Sequence, residues 1–181
     1  IWAHCQLGRV SPEDYDKVAE IAKPEIVTAD RVDEIERETR HDIMALTKAM
    51  AEAAGDSGWC IHLGATSNDI VDSAVALQIR DSINLQQQTM KKLLSTMCDL
   101  AERERDTVML GRTHGQAAVP ITFGLKVAVW VDEFRRHLDR LDELTPRVTT
   151  GKFLGAVGTG AAQGENAFEL QSLIMKNLGL E

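Results

Sequence analysis

Three short segments bring together the residue types that can do chemistry, and each lies where the apolar periodicity of the chain lapses. They are a first motif loop, Thr39-Arg40-His41-Asp42, a second, His62 to Asp69, and a third, Gly111 to Gln116. All three combine histidine with hydroxyl-bearing and charged residues, and two of them add glycine. Since connecting segments carry binding and catalytic residues more often than helix interiors do, we take these loops as the candidate site.

His114 in the third motif loop is the candidate for proton transfer. Its imidazole can give or take a proton near neutral pH, and the flanking Gly111 and Gly115 permit close approach of a ligand. A capping or core-edge histidine is the alternative, and the same two interpretations hold for His41 and His62. The remaining two histidines are predicted to be solvated, and no two of the five have a metal-binding spacing. These two are His4 and His137.

The second motif loop comes directly before the longest predicted helix. Thr66, Ser67 or Asn68 can cap that helix, while its free backbone N–H groups and its dipole attract a carboxylate or phosphate. The alternative is that this segment only caps the helix. A glycine-rich stretch from Gly151 to Gly164 misses a dinucleotide-binding pattern because Gln163 replaces the third glycine and no strand precedes it. It predicts a loop between helices.

The elements that must position these loops are predicted to be helices, so the fold class is all-α. No proline occurs from Glu25 to Val119, and β-branched residues do not alternate with polar ones, which disfavours strands there. A short helix is expected from Ser11 to Lys23, and a longer one from about Asp30 to Gly55 that breaks at a Thr39/Asp42 capping box. Two further helices are expected over 70–105 and 123–144, the second ended by Pro146. We divide the chain into a leading region, 1–105 with a boundary near 70, and a continuation of the bundle, 106–181, with the glycine-rich loop 151–164.

Composition excludes several classes of protein. The 181 residues suffice for a buried core, but a helix of roughly 50 Å needs partners to cover its apolar face. A net charge of −8 argues against nucleic acid or an anionic membrane as partner. Three cysteines with no C-x-x-C spacing indicate a reducing, cytoplasmic location. Neither a signal peptide nor a membrane span is expected, and the start at Ile1 suggests a piece of something larger.

In their order along the chain, the motifs resemble those of the adenylosuccinate lyases, within the fumarase and aspartase superfamily. The resemblance rests on the three motif loops, on Pro120-Ile121-Thr122-Phe123-Gly124 after the third, and on Gly151-Lys152 with Gly155 to Thr159. Arg40-His41-Asp42 and His114-Gly115 are more similar to adenylosuccinate lyases than to fumarases or argininosuccinate lyases. The resemblance implies a bundle of long helices, here the leading helical domain and part of the central bundle.

The function that this resemblance implies is a β-elimination releasing fumarate from adenylosuccinate to give AMP, and from succinylaminoimidazole carboxamide ribotide in purine nucleotide biosynthesis. It implies an anionic nucleotide substrate, no cofactor and no metal, and a homotetramer whose active sites are shared between subunits. His114 is then the general acid, with His41 in support. Lys152 is a weaker candidate for ligand contact. The implied substrate-binding residues are Arg40, His41, Asp42, Thr66, Ser67 and Thr113.

The chain also departs from the family pattern. It contains no Ser-Ser-x-Met-Pro-x-Lys-x-Asn segment, the loop whose serine is thought to be the family's base. We therefore expect a piece of the enzyme that is inactive alone and carries the acid side of the site. The alternatives are another superfamily lyase, of the argininosuccinate or 3-carboxymuconate type, and a helical assembly module whose loops only cap helices.

Overall fold

A computed structural model describes all 181 residues, Ile1–Glu181, and confirms a predominantly helical fold. Two 3-10 segments, Gly55–Cys60 and Ala161–Asn166, separate some of the helices. No helix is long and apolar enough to cross a membrane. The helices and strands are α1 Trp2–Gln6, α2 Pro12–Ile21, α3 Ala29–Thr39, α4 Asp42–Ala54, α5 Ser67–Arg103, β1 Val108–Thr113, β2 Gln116–Thr122, α6 Phe123–Val148 and α7 Ala167–Leu178.

The chain forms two compact units. The first comprises residues 1–76 and 150–181, and the second comprises residues 77–149. α5 begins in the first unit and continues into the second. The predicted organisation into 1–105 and 106–181 stays a prediction. Within the first unit, one apolar cluster joins α2 to the end of α4, and a second joins α3 to α4. Their buried members are Val10, Val18, Ile21, Ala54 and Cys60 in the one, and Ile35, Ala45 and Ala49 in the other.

Side-chain caps set the N-termini of α2, α3 and α4. The hydroxyl of Ser11 accepts the Asp14 N–H at 3.0 Å, with Pro12 at the first helical position, which confirms the predicted start of α2. The predicted break between α3 and α4 is also confirmed, but the capping box is wrong. His41, not Thr39, is the N-cap of α4, because its ring accepts the Met44 N–H at 3.3 Å.

α5 and α6 confirm two of the predicted long helices. α5 has 37 residues, which corresponds to about 55 Å. Pro146 was expected to end α6, which is wrong, because the helix continues to Val148. A proline so close to the end removes only one backbone hydrogen bond. The helix ends instead at Thr149, whose N–H and hydroxyl both donate to the Thr145 carbonyl, at 3.1 and 2.8 Å.

The segment 108–122 is a β-hairpin, so the expectation that strands are disfavoured up to Val119 is wrong there. β1 and β2 pair antiparallel from Val108 opposite Thr122 to Thr113 opposite Gln116, with a bulge beside Gly111. His114 and Gly115 form the two-residue loop, with φ of 51° and 75°. Positive φ at both loop residues is the type I′ pattern, whose twist suits paired strands.

His4 is buried, which contradicts its predicted solvation. Only 2% of the residue is exposed, and its ring packs edge-on against Phe153, with 6.2 Å between ring centroids. Ala3 and His4 are the buried residues of α1. Burial is the main cause that lowers the pKa of His4, so the neutral ring is favoured. His137, in contrast, is exposed on α6, as predicted.

Candidate active site

The first motif loop contains the two-residue link between α3 and α4. Arg40 ends α3 in the left-handed conformation, with φ 53° and ψ 37°, and His41 follows in extended conformation as the N-cap of α4. The chain changes direction at these two residues, directly before Asp42 begins α4. All three side chains are exposed. The break thus presents a cation, an imidazole and a carboxylate together at the surface of the first unit.

The ring of His41 connects the first motif loop to the second. Its Nδ1 lies 3.3 Å from the Met44 backbone nitrogen, and its Nε2 lies 3.4 Å from Oγ of Ser67. Because Nδ1 accepts a backbone N–H, the neutral ring carries its proton on Nε2 and can donate it to Ser67. Asp42 Oδ1 is 3.3 Å from Nδ1 and would pair with the ring once it is protonated there. The His41 ring therefore contacts residues of both motif loops.

The second motif loop turns directly into α5. The Thr66 carbonyl accepts the Asp69 N–H and the Thr66 N–H donates to Asp69 Oδ2, each at 3.0 Å, so Asp69 supplies the side chain that closes the first turn. As at any helix start, the first N–H groups lack intrahelical acceptors, and those of Ser67 and Asn68 have no other acceptor within the chain. Two free N–H groups, the helix dipole and the hydroxyls of Thr66 and Ser67 thus make this turn suitable for an anion.

The glycine-rich segment packs behind this turn. Asp69, which is 1% exposed, also accepts the Leu154 N–H at 3.3 Å and the Gly155 N–H at 3.0 Å. One turn further along α5, the Ser73 hydroxyl contacts both the carbonyl and the N–H of Lys152. The Lys152 ammonium lies 3.0 Å from Asp72. The segment from 152 to 155 is therefore fastened to the first two turns of α5.

A second buried polar side chain holds the other end of the second motif loop. Gln163, 5% exposed, donates from Nε2 to the Leu63 carbonyl at 3.0 Å, and its Oε1 accepts from Arg9 at 3.0 Å. Arg9 also donates to the Gln163 carbonyl at 2.8 Å. Gly64 lies directly against Gln163, and with φ of 65° it occupies a conformation that favours glycine. At this end the loop is held through the Leu63 carbonyl, whereas at the other end it is held by the side chain of Asp69.

The third motif loop lies in the second unit, at the tip of the hairpin. Arg112, Thr113 and His114 are exposed there, and the bulge at Gly111 changes the pairing of the strands just before them. A β-carbon at Gly111 would meet the Val119 carbonyl at 2.6 Å, so the close approach of the two strands requires glycine. His114 is thus presented on a short, rigid turn with its imidazole open to solvent.

Each motif loop contains one residue other than glycine with a positive φ. These are Arg40 at 53°, His62 at 65° and His114 at 51°, and the chain contains no others. The left-handed conformation costs an ordinary residue about 1 kcal/mol or more, and such strained residues cluster at functional sites. The backbone therefore points independently to the three loops that were selected by residue type.

The structure brings together one group of the predicted site residues. Arg40, His41, Asp42, Thr66 and Ser67 lie in the first unit, where His41 contacts Ser67. Thr113 and His114 belong to the second unit. Their roles in binding and catalysis stay predictions. No group of three or more potential metal ligands occurs in the chain.

Sequence reasoning gave no positioning role to Asp69 or Gln163. Asp69 had a detectable signal, because an acid three residues after Thr66 completes a capping box. Its contacts to Leu154 and Gly155 had none, since they join positions 85 and 86 residues apart. Gln163 was noticed only as the residue that spoils a glycine pattern.

Comparison with known proteins identifies the family. The family model described as Lyase matches residues 3–181. The adenylosuccinate lyase of Pyrococcus abyssi is 49% identical over 179 residues, which are 99% of this chain and 40% of that protein. The N-acetyl-S-(2-succino)cysteine lyase of Enterococcus italicus is 39% identical over 178 residues, 98% of this chain and 39% of that protein.

Solved structures share the fold as well. The 3-carboxy-cis,cis-muconate lactonizing enzyme of Pseudomonas putida superposes with a TM-score of 0.92 at 30% identity, over 98% of this chain and 41% of that one. The chain spans about 40% of the length of the curated relatives it matches. Because the family model covers nearly every residue, the chain belongs to the Lyase family.

Proposed function

We propose that this chain is a segment of an adenylosuccinate lyase, the enzyme that releases fumarate from adenylosuccinate and from succinylaminoimidazole carboxamide ribotide. The observation that carries the proposal is the 49% identity to the Pyrococcus abyssi enzyme over 99% of the chain. The strained conformations of Arg40, His62 and His114 support it, because they fall in the loops on which the resemblance rests.

The chemistry assigned to the chain is the acid half of a β-elimination. A base removes a proton from the carbon next to a carboxylate, the electron pair forms the C=C bond of fumarate, and the C–N bond breaks. His114 gives its proton to the departing nitrogen, which lowers the energy of that step. Its exposed position on a short hairpin turn suits a group that must reach a substrate bound elsewhere. The base is expected from a segment outside these 181 residues.

Substrate binding is assigned to the loops of the first unit and to Thr113. A carboxylate of the succinyl group binds at the start of α5, where the hydroxyls of Thr66 and Ser67 lie beside free backbone N–H groups. Arg40, His41 and Asp42 contact the nucleotide. His41 links the two regions through its contact with Ser67.

The role of His114 is tested by His114→Ala in the full-length lyase that carries this segment. Turnover of adenylosuccinate should fall by at least a hundredfold, since general acid catalysis contributes about that much or more. His137→Ala is the matched control, because His137 is also exposed in the second unit but lies outside the motif loops. A loss of less than tenfold in His114→Ala contradicts the assigned role.

The substrate is tested by comparing candidates directly. Fumarate release, followed by absorbance, should be fast with adenylosuccinate and negligible with argininosuccinate. N-acetyl-S-(2-succino)cysteine is the second candidate, favoured by the 39% identity to the Enterococcus italicus enzyme. Faster turnover of that compound would overturn the substrate assignment while leaving the reaction class intact.

We also propose a homotetramer with shared active sites, located in the cytoplasm. Large apolar side chains are exposed on the helices of the second unit, including Leu85, Leu125 and Val129 at 67, 57 and 60%. Such surfaces are typical of subunit interfaces. The alternative is an assembly module without catalysis. Mixing this chain with full-length His114→Ala lyase should restore turnover if sites are shared, and unchanged turnover in proven mixed oligomers contradicts sharing.

A further inference from the structure

We propose that Asp69 is a positioning residue that holds the start of α5 in the geometry needed to bind the substrate's carboxylate. The inference rests on the proposed function, because it takes Thr66 and Ser67 as the carboxylate-binding residues. Asp69 itself does not contact the substrate. Its carboxylate is buried and is fully engaged with backbone groups.

The contacts of Asp69 explain how it would act. Oδ2 accepts the N–H groups of Thr66 and Gly155, both at 3.0 Å, and Oδ1 accepts that of Leu154 at 3.3 Å. Hydrogen bonds to a charged acceptor are stronger than those between neutral groups. One carboxylate thus joins the turn that carries Thr66 to a segment more than eighty residues away. The glycine-rich segment serves as a template against which the turn is set.

The same contacts leave two backbone N–H groups at the start of α5 free to bind an anion. By taking the Thr66 N–H, Asp69 fixes the orientation of the first turn, while the N–H groups of Ser67 and Asn68 remain available to a ligand. A bound carboxylate and Asp69 carry like charges, so the charge of Asp69 opposes anion binding. Any favourable contribution of Asp69 to anion binding must therefore come from geometry. Neutralising Asp69 should weaken anion binding if the lost geometry dominates, and should strengthen it if the lost charge dominates.

Asp69→Asn in the full-length lyase separates them. The asparagine keeps the size of the side chain, but its NH2 group only donates and cannot replace a carboxylate oxygen as an acceptor, so at least one of the three N–H groups loses its partner. Fumarate and AMP serve as probes, each measured as an inhibitor of adenylosuccinate cleavage. We expect the inhibition constant for fumarate to rise at least fivefold and that for AMP to change less than twofold.

Asp72→Asn is the matched control. It removes one negative charge from the same helix three residues further on, but Asp72 is exposed and pairs with the Lys152 ammonium rather than with the backbone of the turn. Fumarate inhibition should stay the same or become tighter in this variant. The proposal is overturned if the inhibition constant for fumarate is unchanged or lower in Asp69→Asn. It is also overturned if the inhibition constants for fumarate and AMP rise equally, because that would indicate a general loss of structure.

Two further variants complete the test. If Asp69→Asn does not fold, Ser73→Ala decides, because Ser73 fastens the same template to α5 through Lys152. Ser73→Ala should raise the inhibition constant for fumarate at least twofold, and an unchanged constant would contradict the template role. Ser67→Ala tests the underlying assignment. If it leaves fumarate inhibition unaltered, the proposed carboxylate site is wrong, whereas an effect in Ser67→Ala without one in Asp69→Asn refutes only the role of Asp69.

Discussion

Gly64→Ala should destabilise the protein far more than the addition of one methyl group suggests. Gly64 has φ of 65°, and a β-carbon at this position would run into the side chain of Gln163, with Cδ only 2.9 Å away. Gln163 is buried and holds the second motif loop through Leu63 while accepting from Arg9. The alanine therefore strains the backbone and also displaces a side chain that cannot move without losing both hydrogen bonds.

The two effects differ in size. The left-handed conformation costs alanine about 1 kcal/mol relative to glycine. Displacing the Gln163 amide breaks one neutral hydrogen bond and one from a guanidinium, which together contribute about 2 kcal/mol when the freed groups are partly rehydrated. We expect the free energy of unfolding to fall by about 3 kcal/mol in total.

Urea denaturation followed by circular dichroism measures this change, and Gly8→Ala is the control. Gly8 has nearly the same φ, 67°, but nothing lies within 4 Å of the added carbon, so only the backbone cost of about 1 kcal/mol remains. In a Gln163→Ala background, the effect of Gly64→Ala should also shrink to about 1 kcal/mol. If Gly64→Ala and Gly8→Ala differ by less than ~1 kcal/mol, the contact with Gln163 does not constrain the loop and the reasoning fails.

Three further predictions concern stability and reactivity. Burial lowers the pKa of His4 below its ordinary value of 6.5, so the unfolded chain binds more protons below that pH. Stability should then fall on acidification below pH 6.5, by up to ~1.4 kcal/mol per pH unit, and His4→Phe should flatten this dependence in urea titrations. Gly124→Ala should destabilise by at least ~2 kcal/mol although alanine normally favours a helix, because the new carbon meets the backbone at Ala101; a stabilised variant would contradict this. Iodoacetamide at pH 8 should label the exposed Cys98 at least tenfold faster than Cys60, which is buried and whose thiol pKa is raised by burial, as mass spectrometry of the peptides can show; equal rates would mean that Cys60 is accessible.

Helices with strong local signals could be predicted from sequence. α2 has Ser11 as cap, Pro12 at the first position and two acids in its first turn, and its observed start agrees with that pattern. α5 and α6 carry apolar side chains at helical spacing over several turns, and both begin within three residues of the predicted starts. In each case the information lies within a few residues of the feature it determines.

The hairpin could not be predicted by the same means. Most side chains of β1 and β2 are exposed, and the register shifts between Leu110 and Arg112, so a periodicity of two is not visible in the sequence. The informative signal is instead the pair His114-Gly115, since a glycine at the second loop position is typical of a type I′ turn. His4 was mispredicted for a related reason. Its burial depends on Phe153, whose position along the chain is remote.

The candidate site shows the same division between local and remote information. Residue type selects the three motif loops, because histidine, hydroxyl and arginine side chains are the groups that acid catalysis and anion binding require. The geometry of the second motif loop, however, depends on contacts with residues that are remote in the chain. Gln163 holds the backbone before Gly64, and Asp69 joins Thr66 to Leu154.

That arrangement bears on the strained backbone of the second motif loop. A left-handed Arg40, His62 or His114 would relax in an isolated peptide, since each costs about 1 kcal/mol relative to a residue suited to the conformation. Such a conformation persists only where the surrounding structure over-determines it. For His62 that constraint is visible, because Gln163 fixes the neighbouring Leu63 carbonyl from a buried position. The glycine-rich segment lacks a dinucleotide-binding pattern, and it acts on the site by holding the backbone of the second motif loop.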